Sequence, residues 1–100
     1  MLGRGGYIYI MTNKLNTVLY TEVTSDLISR VWQHQNNIYP HSFTAKYKCY
    51  KLVYYQSYAH IEEAIAAEKL IKGNSRDHKK QLVYSMNHEW KDLYPDLISE

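Results

Sequence analysis

One hundred residues with 45% hydrophobic and 22% charged side chains have the composition of one soluble globular domain, which excludes a disordered chain and a fibrous repeat. No apolar run approaches the roughly 18 residues needed to cross a bilayer, and Met1–Gly6 lacks an apolar signal core, so a cytoplasmic protein without a membrane segment is expected. A formal charge of +2 does not by itself mark a nucleic-acid binder, and the single cysteine, Cys49, rules out an intrachain disulfide and the usual cysteine-based zinc sites.

In chain order, residues 1–5 carry two glycines and no periodicity, which predicts a frayed start, with a domain over 6–94 and a short tail over 95–100. Tyr7–Thr12 and Val18–Val23 alternate at period two around Asn13-Lys14-Leu15-Asn16, the pattern of a β-hairpin. A four-residue loop sets Thr12 opposite Thr17 and Tyr9 opposite Tyr20. One face, predicted as core, then holds Ile8, Ile10, Leu19, Thr21 and Val23. The other collects Tyr7, Tyr9, Met11, Val18, Tyr20 and Glu22.

Thr24-Ser25-Asp26 offers N-cap groups, and Leu27, Ile28, Val31, Trp32 and Gln35 follow at helical spacing, which predicts a helix over about 26–36 flanked by Arg30 and His34. Residues 36–48, with Pro40 and small polar side chains, read as a loop, and Tyr- and Val-rich 49–57 as a third strand. A helix over 61–72 presents Ile61, Ala64, Ile65 and Ile71, with Glu68 inside that stripe, and ends at Gly73-Asn74. Residues 75–86 form a last helix, basic at Arg76, His78, Lys79 and Lys80, with Leu82 and Val83 inward. Residues 87–100, with Trp90, Leu93 and Pro95, fold partly back on the domain.

Tyr7-Ile8-Tyr9, Tyr20 eleven residues after Tyr9, Thr24-Ser25-Asp26-Leu27, Arg30, Ala64-Ile65, Glu68-Lys69, Ile71-Lys72-Gly73, Asn87 and Trp90 stand in an order that resembles the GIY-YIG nuclease domain, especially its short bacterial stand-alone members. The resemblance implies an α+β fold, a small three-stranded antiparallel sheet flanked by helices. It also implies a metal-dependent endonuclease-like activity on phosphodiester bonds of DNA or RNA. Carried over by position, Glu68 is the ligand of Mg²⁺ or Mn²⁺, Tyr9 the base or water-orienting group and Tyr20 its hydrogen-bonding partner. Arg30 is the stabiliser of the phosphorane, His34 a proton-transfer or phosphate group and Asn87 an accessory contact.

Lys72, Arg76, Lys79 and Lys80 are candidate backbone contacts for the nucleic acid. Simpler roles stand beside these: a Glu68–Lys72 or Asp26–Arg30 surface pair four residues apart, a satisfied edge histidine at 34, and a solvated basic face on the last helix. Where the family motifs hold Gly, this chain has Tyr7 and Glu22, and Ala67, Asn74 and His88 replace the family's usual Arg, Trp and Pro. A carboxylate at position 22 repels phosphate unless it joins the cation, so a nucleic-acid-binding module impaired in cleavage is the alternative.

Overall fold

Three strands and five helices follow one another along the chain in a computed structural model that describes residues 5–99: β1 (Gly6–Thr12), β2 (Leu19–Thr24), α1 (Leu27–Gln35), α2 (Phe43–Lys46), β3 (Lys51–Tyr58), α3 (Ile61–Lys72), α4 (Arg76–Met86) and α5 (Tyr94–Ile98). The frayed start expected at 1–5 lies, for residues 1–4, outside the described residues. The strands form one antiparallel sheet in the order β2-β1-β3, the expected α+β architecture. No helix among the described residues is long and apolar enough to cross a membrane.

The hairpin register differs from the expected one by two residues. Thr12 pairs with Leu19, so Tyr9 faces Glu22 and Met11 faces Tyr20. The cause is Asn13, whose side-chain oxygen accepts from the amides of Thr17 (2.8 Å) and Val18 (3.1 Å), while Thr12 donates its hydroxyl to the Val18 carbonyl at 2.7 Å. These bonds draw Thr17 and Val18 into the loop, and Asn16 takes a left-handed φ of 60° to close it. Because side chains alternate at period two, a shift of two leaves every residue on its expected face.

Both faces of the sheet are buried, so the expectation of a core on the Ile8/Ile10 side alone is corrected. Tyr9 and Met11 pack with Leu27 and Val31 of α1 and with Cys49, Leu52 and Leu93, whereas Ile10 packs with Val53, Tyr54, Val83 of α4 and Trp90. On α1 the inward residues are Leu27, Val31 and His34; Ile28 and Trp32, counted in the apolar stripe, remain about half exposed. Helix α3 crosses the Ile8 face. It comes so close at Gly6 that a Cβ there would lie 2.5 Å from Ile61 Cδ1 and 3.0 Å from Ala64 Cβ.

Strand β3 starts at Lys51 and carries a bulge opposite Ile10/Met11. The extra residue turns Val53 and Tyr54 to the same cluster, which explains the weak alternation of this segment. The segment after α4 then runs along the outer edge of β3. Asp92 Oδ1 accepts from the Leu52 amide (3.1 Å), Leu93 donates to the Leu52 carbonyl (2.7 Å), Asn87 Nδ2 donates to the Val53 carbonyl (3.2 Å), and Met86 Sδ takes the Tyr55 amide (3.5 Å). The same Asp92 accepts from Gln35 Nε2 at the end of α1.

Candidate active site

Tyr9 enters the site from the central strand with its ring fully buried against α1. Its hydroxyl lies 2.9 Å from His34 Nε2, and His34 Nδ1 lies 2.8 Å from Thr44 Oγ1. Helix α2 begins at Ser42, whose hydroxyl caps Ala45 and sits 3.1 Å from Thr44 Oγ1. Both imidazole nitrogens are therefore used, and His34 is a satisfied buried histidine whose partner is the candidate catalytic tyrosine. Burial first, then the nearby Arg30 charge, push His34 down to about 4, so the ring is neutral at pH 7.

Tyr20 stands beside this chain, with ring centroids 6.4 Å from Tyr9 and 5.6 Å from His34. Its hydroxyl donates to Glu22 Oε2 at 3.3 Å. Burial raises the pKa of both phenols, with Tyr20 and Glu22 raising Tyr9 further and Glu22 raising Tyr20, while Arg30 opposes the shift in each. Arg30 is half-buried on α1, donates Nη1 to Gln33 Oε1 at 3.0 Å and holds its guanidinium 5.5 Å from the Tyr39 ring centroid. The Asp26–Arg30 pair considered from spacing is not formed. Asp26 instead caps α1 by accepting from the Ser29 amide at 3.2 Å.

Glu68 meets this group around the free edge of β2. Its Oε2 lies 3.2 Å from Lys72 Nζ, and the same ammonium is 3.6 Å from Glu22 Oε1. The Glu68–Lys72 pair expected from spacing thus exists, but as part of a three-residue cluster that joins the Tyr9 face. Burial works to raise the Glu22 pKa, yet the Val23 amide, the Lys72 ammonium and the Tyr20 hydroxyl outweigh it and hold the carboxyl below its usual range. Lys72 is raised: its burial is outweighed by Glu68 and Glu22.

The donor set suits a hard cation. Glu22 and Glu68 offer only oxygen atoms, and Mg²⁺ or Mn²⁺ is commonly held by one or two carboxylates with water completing the shell. That the two already gather a positive group between them is the observation that fits; the Lys72 side chain is 45% exposed and so has room to leave. Among the described residues no cluster of three or more His, Cys, Asp or Glu is found that could hold a metal through protein ligands alone.

The predicted nucleic-acid contacts divide. Lys72 belongs to the carboxylate cluster. Arg76, Lys79 and Lys80 lie on α4, which covers the opposite face of the sheet; Arg76 Nη2 donates to the Thr17 carbonyl at 2.6 Å. Asn87, expected as an accessory contact, is engaged with backbone groups of β3 and of the segment after α4. It is buried, and it donates to the carbonyls of Val53 and Lys91 while its oxygen accepts from the Lys91 amide. Thr44 escaped the sequence reading, since only Ser42 as a helix N-cap hints at a turn there and nothing in the spacing links that turn to His34.

The family model for the GIY-YIG catalytic domain matches residues 5–81. Among solved structures, the solution structure of the UPF0213 protein BH0048 from Bacillus halodurans is similar, with 27% identity, a TM-score of 0.56, and coverage of 88% of this chain and 92% of that one. No curated protein matches the chain.

Proposed function

Since the chain belongs to the family of GIY-YIG catalytic domains, whose nucleases are generally metal-dependent, we propose that it hydrolyses phosphodiester bonds of DNA or RNA with one divalent cation, Mg²⁺ or Mn²⁺, at Glu68 and Glu22. The observation that carries this reading is the convergence of Tyr9, Tyr20, Arg30 and His34 from three elements beside the Glu22–Lys72–Glu68 cluster. When bound, the cation supplies Lewis-acid polarisation of a phosphoryl oxygen.

The protein's own groups do the rest. With the imidazole proton on Nδ1, Thr44 accepts from Nδ1 and the Tyr9 hydroxyl donates to Nε2. This leaves a lone pair on the Tyr9 oxygen for the attacking water. A proton taken from that water passes through Tyr9 to a neutral ring; as the water oxygen bonds to phosphorus the P–O bond of the leaving group breaks, and the departing alkoxide takes a proton from solvent. Tyr20, oriented by Glu22, offers a second hydrogen bond to the water or phosphate. Arg30 presents a fixed fork of donors to the negative charge that develops on the phosphorus oxygens.

Glu22 in place of the family glycine favours a second reading, a nucleic-acid-binding module that does not cut. One experiment separates them: incubation of labelled single-stranded and duplex DNA and RNA with parent and Glu68→Gln protein, in Mg²⁺ and in EDTA. Cleavage in Mg²⁺ by the parent, reduced at least about 100-fold in Glu68→Gln, is the expected result. Binding by the parent with no cleavage under any condition establishes the second reading.

A further inference from the structure

Between Asp26 and Glu62 the chain carries no carboxylate side chain, while Arg30, Lys46, Lys48 and Lys51 and most of its aromatic rings fall in that stretch. The fold lines several of these up beside the candidate site. Phe43 stacks on Tyr20 with centroids 5.6 Å apart and 23° between the planes, and Tyr47 follows one helical turn later, 4.7 Å from Phe43. Phe43 and Tyr47 are 46% and 41% exposed, and the Lys46 ammonium lies 5.3 Å from the Tyr47 centroid. Tyr47 also forms one wall of a surface groove of about 650 Å³, shared with Lys14, Lys48, Tyr50 and Lys51 and free of carboxylates.

A run of exposed rings marks a surface that something covers. Continuity with Tyr20 ties it to the phosphodiester site, and positive charge without a negative partner selects a polyanion. A base inside a duplex is covered on both faces by its neighbours, whereas an unpaired base has a face to lay on an aromatic ring. We infer that Phe43 and Tyr47 are a stacking track for unpaired nucleobases, with Lys14 and Lys48 on the backbone phosphates, that leads a single strand or an unpaired flap to Tyr20. Lys51 is engaged with the Trp90 carbonyl at 2.9 Å and stands outside the phosphate pair. The inference deepens the proposed hydrolase reading and takes its direction along the surface from it.

Binding is measured by fluorescence anisotropy with labelled oligothymidylate, the same strand annealed to its complement, and oligouridylate. EDTA keeps the strands intact. The expected result is single-strand affinity at least about tenfold above duplex, a loss on the order of tenfold in Tyr47→Ala, and recovery in Tyr47→Phe, which keeps the ring. Phe43→Leu, which keeps volume behind Tyr20, behaves like Tyr47→Ala. Lys14→Gln with Lys48→Gln flattens the slope of log affinity against log salt by about 1.4. Equal affinity for the two sugars assigns the contacts to base and phosphate, and tighter RNA binding adds a 2′-hydroxyl contact to the same track.

Preference for the duplex, or indifference to Tyr47→Ala and Phe43→Leu, overturns the inference. Failure of the parent to cut in Mg²⁺ removes the hydrolase reading and leaves these affinities where they are.

Discussion

Glu22 on β2 stands directly across from Tyr9 on β1, at the position where the family motif has a glycine. A carboxylate there faces a buried phenol whose pKa is already raised by burial and by Tyr20, and it raises it again. Tyr9 therefore stays a neutral hydroxyl at physiological pH. Any basic role for it runs through the hydrogen bond to His34, not through a standing phenolate.

The same carboxylate gives the first test. Glu22→Gln keeps shape and the Tyr20 contact but halves the charge offered to a cation by the Glu22–Glu68 pair. Mn²⁺ affinity, read by electron paramagnetic resonance of the free ion, is expected to fall about tenfold with the fold unchanged. Unchanged affinity would return the cation to Glu68 alone.

Arg30→Lys keeps a positive charge and loses the planar fork. Cleavage is expected to drop about 30- to 100-fold while nucleic-acid affinity changes less than about threefold. A cleavage rate within twofold of the parent would reduce Arg30 to its contacts with Gln33 and the Tyr39 ring.

His34 makes the fold sensitive to acid. Its pKa is about 4 in the folded protein, against about 6.5 in an unfolded chain, so the unfolded state takes up the proton first as the pH falls. The stabilisation is complete above about pH 6.5 and is lost between there and pH 4, by about 2–3 kcal/mol. Glu22, held below its usual range, adds a loss that begins only as pH falls through about 4.5. Urea midpoints from pH 7 to pH 4 should fall more steeply for the parent than for His34→Gln; parallel curves would place the proton elsewhere.

Gly6→Ala tests the approach of α3 to the sheet. A methyl at this position meets Ile61 Cα at 3.2 Å as well as the movable Ile61 Cδ1, so rotation of one side chain does not clear it. A loss of about 1–3 kcal/mol is expected from thermal or urea unfolding. A neutral effect would mean that α3 slides without cost, and with it Glu68 and Lys72.

Much of the frame was legible because it depends on local patterns. Helix α3 occupies the predicted 61–72, and Asp26 and Ser75 cap α1 and α4 where the sequence offers short polar side chains. Strand faces were readable through alternation, which tolerates a register error of two. The register itself was not, because it depends on the Asn13 side chain gathering two amides five or fewer residues ahead. Nor was the Val53 bulge, which breaks the alternation that would reveal it. In the site, Tyr9, Tyr20, Arg30 and His34 could be gathered from motif order. Thr44 could not, since only tertiary folding of α2 brings it to His34, and the backbone clasp made by Asn87 was not foreseen because polarity alone does not tell a ligand contact from a buried structural one.

The covering of β3 also bears on how this domain behaves when shortened. Its outer-edge groups at Leu52, Val53 and Tyr55 are taken by Met86, Asn87, Asp92 and Leu93, all beyond the 5–81 stretch that the family model matches. A version trimmed to that stretch would present bare amides and carbonyls flanked by Leu52, Val53 and Tyr54, the features that recruit a second chain by strand addition. Such a fragment is expected to self-associate, and size-exclusion chromatography of the trimmed chain beside the full one checks it; the last stretch of chain covers the outer edge of the sheet.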